Sequence, residues 1–157
     1  MKRSFIGYAR AIGYWATTAI IAFELLAGGV TDLIHGGTNV VGGEPVVEVL
    51  AHLGYPAYVL TILGAWKLPG GITLLVPGFP RLKEWAYAGA FFVYIGAAAS
   101  AALSGYSDPY TTIWGPFLFG LITLTSWALR PQSRTLGALF PAKKLSMKQG
   151  LKRSGEE

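Results

Sequence analysis

Residues 54–76, GYPAYVLTILGAWKLPGGITLLV, form an apolar run with a single full charge, Lys67, near its centre. Crossing about 30 Å of hydrocarbon takes about 20 largely apolar helical residues, so this run is long enough to span a bilayer. An ionisable side chain at mid-depth is costly, and it normally faces the interior of a helix bundle. Lys67 therefore needs an anion from elsewhere in the chain. Glu24 is the obvious candidate, because it lies in the middle of an earlier apolar run, residues 11–34. If the two runs are antiparallel neighbours, ammonium and carboxylate meet inside protein. Pro69 removes a backbone donor one turn below the Ala65 carbonyl, and Gly70 and Gly71 weaken the helix further. Interrupted backbone at membrane depth is tolerated only against protein or a wet cavity, so a polar spot is expected there.

Composition sets the class. The chain has 157 residues, 52% hydrophobic and 13% charged, with a mean hydropathy of +0.45. Soluble domains carry about 25% charged residues, so this is read as one compact integral membrane protein. The net charge of +5 would suggest nucleic acid in a soluble chain, but here the basic residues sit at the ends of apolar runs, where orientation in a membrane explains them. No nucleic-acid partner is expected. With no cysteine, a disulfide framework, a thiol nucleophile and a cysteine-held metal are excluded.

The other spans follow from the same criterion. The run 11–34 is too long for a signal-peptide core and lacks a small-residue cleavage site, so it reads as a retained first span. Tyr14 and Trp15 stand where an interfacial aromatic belt belongs, and Gly28-Gly29 permits close helix approach. A glycine-rich loop, HGGTNVVGGE, follows at 35–44. Pro45 then opens a short amphipathic helix with Val46, Val49, Leu50 and Leu53 on one face, lying at the interface or dipping into the mouth of the bundle. Gly54 ends it. A Pro/Gly turn carrying Arg81 and Lys83 leads to a third span at about 85–105, whose Gly89 and Gly96 suggest close packing on its neighbours. Asp108-Pro109 opens a fourth at about 109–129, with a kink expected at Gly115-Pro116.

The expected fold is thus all-α: a polytopic four-transmembrane-helix bundle over residues 1–131, with a short interfacial helix between spans one and two. Residues 132–157 form a basic cytoplasmic tail, read first as a solvated or partly ordered terminus and, as the alternative, as a surface helix on anionic lipid. Apart from Lys67, every Lys and Arg lies before span one, between spans two and three, or after span four. The positive-inside rule then places both termini in the cytoplasm of a plasma (inner) membrane protein.

Three segments carry a resemblance: YWATTAIIAFELLAGGVTDL at 14–33, VEVLAHLGYPAYVLTILGAWKLPGGITLLVPGFPRLKEWAYAG at 47–89, and SWALRP at 126–131. With them the chain resembles the DoxX-like family of small four-helix membrane proteins, in the superfamily that includes the small subunit of thiosulfate:quinone oxidoreductase. The resemblance implies four helices, the Glu24 and Lys67 positions, and association with redox or sulfur-handling partners. The chain departs from the family pattern at Val93, where relatives tend to carry an acid, and at Ala101, where they carry a histidine.

Two polar groups are candidates for function. Glu24 and Lys67 are read either as a structural ion pair fixing register or as the anchor for the head of an amphipathic, quinone-like ligand. In the second case Trp66 would form a stacking wall, and Tyr58 and Thr61 of the same run would join Glu24 and Lys67 as ligand-binding residues. Asp32, His35, Glu48 and His52 are expected near the outer face. Their i, i+3 and i, i+4 spacing could hold a metal, but the glycine-rich loop between the pairs offers no rigid support. Helix-end capping and water-facing groups are the reading adopted there, with no metal. No phosphate loop and no catalytic group is assigned: Ser100, Ser104 and Thr61 have no base beside them. The functional expectation is an auxiliary membrane subunit that contacts the lipid bilayer and holds a quinone-like molecule or a redox or other membrane protein. No activity is assigned to it on its own; at most it is a subunit of a quinone-linked oxidoreductase. The alternatives are a quinone-linked oxidoreductase subunit, and a scaffold or assembly factor whose small-residue helix faces pack on other membrane proteins; a homo-oligomer is also among the expected partners.

Overall fold

The computed structural model describes residues 2–36, 43–105, 110–131 and 134–135. Five α-helices account for nearly all of it: α1 (Lys2–Leu33), α2 (Val46–His52), α3 (Tyr58–Leu75), α4 (Pro80–Ser104) and α5 (Gly115–Leu129). A π-helical turn, Tyr110–Trp114, leads into α5. Four segments are long and apolar enough to cross a membrane: Gly7–Leu33, Tyr58–Leu75, Pro80–Ser104 and Thr112–Leu129. The chain is an integral membrane protein, and these helices put it in contact with the lipid bilayer.

The long helices form a ring in which α1 packs on α3, α3 on α4, α4 on α5 and α5 back on α1. The sequence explains why α1 and α3 are the closest pair. A Cβ added at Gly64 would lie 2.7 Å from the Gly29 carbonyl oxygen, and one at Gly71 would lie 3.0 Å from Leu26. These glycines let two backbones meet, which is how membrane helices gain van der Waals contact without a hydrophobic drive. At Gly89 and Gly96 an added Cβ would meet nothing within 4 Å. The expectation that these two pack α4 on its neighbours is corrected: they face outward, and the small residue between α4 and α5 is Gly120, pressed on Ile95.

Several boundaries move. α1 starts at Lys2 rather than residue 11 and has 32 residues, about 48 Å at 1.5 Å per residue, more than one bilayer core. α3 runs through Pro69 without interruption, so the expected break is absent. One lost backbone bond is outweighed there by the packing of Gly64 and Gly71 against α1 on either side. α4 begins at Pro80, five residues before the expected start, because Gly78 (φ +81°) and Phe79 (φ +50°) turn the chain within two residues. At Gly115-Pro116 the expected kink takes the form of the π turn, which is a usual answer to a missing proline donor. The Asp108-Pro109 cap, the loop at 37–42 and most of the basic tail lie outside the described residues.

The two ends of the bundle differ. At one end, where α1 starts and α3 and α5 finish, basic side chains close the helix C-termini. Arg10 donates to the carbonyls of Ala128 (3.3 Å) and Leu129 (3.4 Å), and Arg134 donates to Leu74 O at 3.1 Å. Arg130 pairs with Glu84 at 2.8 Å, and the Trp127 indole donates to the same carboxylate. Lys83, expected in the Pro/Gly turn before span three, lies instead on α4, fully buried (0% exposed), and donates to the carbonyls of Thr73, Leu74 and Val76 at the end of α3. Starting α4 at Pro80 is what carries Lys83 into the bundle. Just inside this end, Ser126 joins Thr18 (2.8 Å) and Tyr87 (2.9 Å), tying α1, α4 and α5 through one buried hydroxyl. α2 sits at the opposite end.

Candidate functional site

The polar interior is built on one face of α1. Glu24, Gly28 and Asp32 are spaced i, i+4, i+8, so they line up along the side that meets α3. α3 presents Lys67 to them. Its ammonium lies 2.9 Å from Asp32 Oδ2 and 4.0 Å from Glu24 Oε1. Tyr94 of α4 donates its hydroxyl hydrogen to the other Glu24 oxygen. Gly28 makes the room: a Cβ there would stand 3.0 Å from Glu24 Oε1 and 3.4 Å from Lys67 Nζ. Two carboxyl groups, one ammonium and one phenol from three helices thus share a buried point near the middle of the bundle.

The expected meeting of Glu24 and Lys67 occurs, but the nearer partner of Lys67 is Asp32. That residue is 3% exposed and does not stand with the outer polar group. The reason is local. α1 ends at Leu33 with a turn in which the Gly36 N–H reaches the Thr31 carbonyl (3.2 Å), and His35 takes the left-handed conformation usually given to glycine. Asp32 therefore stays in the last helical turn, directed inward, while His35 swings out to hydrogen-bond Thr61 at 2.9 Å. Glu48 and His52 remain exposed on α2, with His52 Nδ1 3.2 Å from the Glu48 carbonyl and 3.8 Å from Glu44. The four expected outer residues do not converge. Among the described residues no group of three or more His, Asp or Glu side chains could hold a metal.

A cavity of about 340 Å³ opens from the buried polar point toward α2. Glu24, Asp32, Lys67 and Tyr94 are at its base, while Leu60, Leu63, Val93 and Phe119 stand in its walls. Val46, Val49, Leu50 and Leu53 form a cover. The apolar face of α2 thus dips into the mouth of the bundle, one of the two positions its pattern allows. A wall of this kind, apolar with a few convergent polar groups, suits a small amphipathic molecule.

Other expected site residues lie elsewhere. Trp66 is 75% exposed and does not line the cavity, nor does Tyr58, and Thr61 is committed to His35. Successive helical residues point about 100° apart, so when Lys67 turns inward Trp66 must turn toward lipid. Pro69 is also outside the cavity wall. Two residues that carry the site, Tyr94 and Asp32, were not placed there by sequence reasoning. The signals were a tyrosine at mid-span, away from the interfaces where tyrosines gather, and the i, i+8 spacing of two acids in one apolar helix.

No curated protein and no solved structure matches the chain. The model of the DoxX-like family does match, over residues 16–126, a stretch holding Glu24, Asp32, Lys67 and Tyr94. By that match, across more than half of its length, the chain belongs to the DoxX-like family.

Proposed function

We propose that this protein binds a small amphipathic, quinone-like molecule inside the membrane, with its polar head on Lys67, Glu24, Asp32 and Tyr94, and that it serves as an auxiliary subunit beside a redox or other membrane protein. The observation that carries this reading is the cavity itself. A purely structural ion pair needs no room around it, yet here about 340 Å³ of space adjoins the Lys67 ammonium and continues between apolar walls to α2. The ammonium and the phenol supply donors, and the carboxyl groups supply acceptors, for a head with carbonyl or hydroxyl groups. In this reading both termini face the cytoplasm from a plasma membrane, and the gathering of Arg10, Lys83, Arg130 and Arg134 at the end where α1 begins and α5 finishes supports that orientation.

The test is equilibrium binding of decylubiquinone to the purified protein in mild detergent. Val93→Phe, which fills the cavity wall, is expected to abolish binding while leaving the thermal unfolding temperature nearly unchanged. Trp66→Ala, on the lipid face, is expected to bind as the parent does. Absence of binding to the parent protein, or binding indifferent to Val93→Phe, sinks the proposal.

A second reading, a scaffold for another membrane protein, draws on the outward glycines Gly89 and Gly96. It requires that Gly89→Leu disrupt a complex while ligand binding persists.

A further inference from the structure

The cavity has a side opening. Phe92 and Gly96 lie on the outward face of α4, Phe92 with 70% of its surface exposed, and yet both line the cavity. Residues that touch both the surroundings and the interior mark a gap in the wall. The half-exposed lining residues Val59 and Leu63 of α3 face Val93 and Ser100 of α4 across it, which puts the gap along the seam between α3 and α4. The α4 residues beside it, Val93, Gly96, Ala97 and Ser100, are small, and a Cβ on Gly96 would meet nothing within 4 Å. One side-chain hydrogen bond crosses the seam near α2, between Tyr55 and Ser100 at 2.9 Å. Phe92 is at the middle of a 25-residue span, so the gap faces acyl chains rather than headgroups.

We infer that this seam is the port through which the cavity is loaded from the lipid phase, and that the molecule it admits has an uncharged head and a hydrocarbon tail. The inference rests on the binding proposed above and adds the route and the class of ligand. An anionic lipid head is disfavoured twice. The route crosses hydrocarbon, where a net charge is costly, and the base of the cavity already holds two carboxyl groups against one ammonium. A head able to rest at mid-membrane, such as a quinone, a quinol or an isoprenoid alcohol, meets neither obstacle. Its tail can remain in the gap beside Gly96.

Two measurements test this. The chain has no cysteine, so a single nitroxide on Leu63→Cys reports the cavity wall cleanly. In phosphatidylcholine vesicles a lipid port predicts strong relaxation by oxygen, which concentrates in hydrocarbon, and little by a water-soluble nickel chelate. Strong relaxation by the chelate and weak relaxation by oxygen would mean loading from water past α2, and would overturn the inference whether or not any ligand binds. The second measurement is the association rate of decylubiquinone in the same vesicles. Gly96→Phe narrows the port in open space, and it is expected to slow association by about tenfold or more, as closing a gate does. Gly89→Phe, equally unobstructed but away from the cavity, should stay within about twofold of the parent, as surface changes usually do. Equal rates in all three proteins would overturn the port while leaving the binding proposal intact. A nitroxide relaxed by oxygen in a protein that binds no decylubiquinone would uphold the port and remove the binding proposal.

Discussion

Two lysines are drawn into this bundle, Lys83 fully buried and Lys67 largely so, and they are held in opposite ways. Lys67, at mid-membrane, is matched by carboxyl groups from another helix, 2.9 Å and 4.0 Å away. Lys83, near the basic end, has no carboxylate among its hydrogen-bond partners and is matched by three backbone carbonyls. The final turn of any helix leaves carbonyls without intrahelical donors and carries the negative end of the helix dipole, so a cation there is met by backbone that the fold provides in any case. Lys67 lies mid-helix, where the carbonyls are already used, and so its compensation had to be built from side chains. Anions built for a lysine can also be shared with a ligand, whereas a capped helix end offers nothing further. Of the two, Lys67 is the one that lines the cavity with convergent donors and acceptors.

The largest effect is therefore expected where the charges were built in. Lys67→Met leaves Glu24 and Asp32 without their cation inside the bundle, and removing one partner of a buried pair costs about 3–5 kcal/mol. Denaturant unfolding in detergent should show that loss, or the protein should fail to accumulate. The comparison sharpens with the triple variant Lys67→Met/Glu24→Gln/Asp32→Asn, which removes the charges together and should recover more than half of the lost stability. A Lys67→Met protein as stable as the parent would mean that the three groups are not coupled.

At Lys83 the expected loss is smaller. Lys83→Met keeps the apolar stem but leaves the carbonyls of Thr73, Leu74 and Val76 without their cation, at a cost of about 1–3 kcal/mol for unmade hydrogen bonds. Arg134 already donates to Leu74 O at 3.1 Å and limits the damage. Decylubiquinone binding should be unchanged, because no atom of Lys83 lines the cavity. A Lys83→Met protein that unfolds like the parent but no longer binds would contradict this division between a structural and a ligand-facing lysine.

The same division explains what the sequence disclosed. Lys67 was legible because one charge in an apolar run of 23 residues has no innocent explanation, and Glu24 was legible because it is an acid in the middle of another such run. The four spans and the face of α2 followed from hydropathy and from the spacing of Val46, Val49, Leu50 and Leu53. Lys83 was assigned to a turn because Pro77, Gly78 and Pro80 suggest one, and nothing local says that α4 starts at Pro80 and carries Lys83 under the end of α3. Asp32 was misread because it is four residues before a glycine pair, where a helix-end acid is expected to face water. The turn at His35, which keeps Asp32 pointing inward, depends on a left-handed residue that is not a glycine. Trp66 was assigned to the cavity by sequence adjacency to Lys67, although helical geometry separates the two by about 100°.

Two tyrosines carry the comparison down to single hydrogen bonds. Tyr94 donates to Glu24 Oε2, while the Lys67 ammonium stands 4.0 Å from the other oxygen. Tyr87 meets Ser126 at 2.9 Å, but Ser126 also has Thr18 at 2.8 Å, and Arg130 stacks over the Tyr87 ring at 4.9 Å. Tyr94→Phe leaves a buried carboxyl oxygen without its donor, which should cost about 1 kcal/mol or somewhat more and lower the affinity for decylubiquinone. Tyr87→Phe leaves Ser126 with its second partner and keeps the ring under the guanidinium. It should cost less than about 0.5 kcal/mol, because a polar pair with an alternative partner is nearly neutral to lose, and binding should not change. The ranking is read from paired unfolding curves and binding isotherms of the two variants. If Tyr87→Phe proved the more damaging of the two, the hydroxyl knot at the basic end, and not the cavity, would be the part of this bundle that depends most on a precise polar contact.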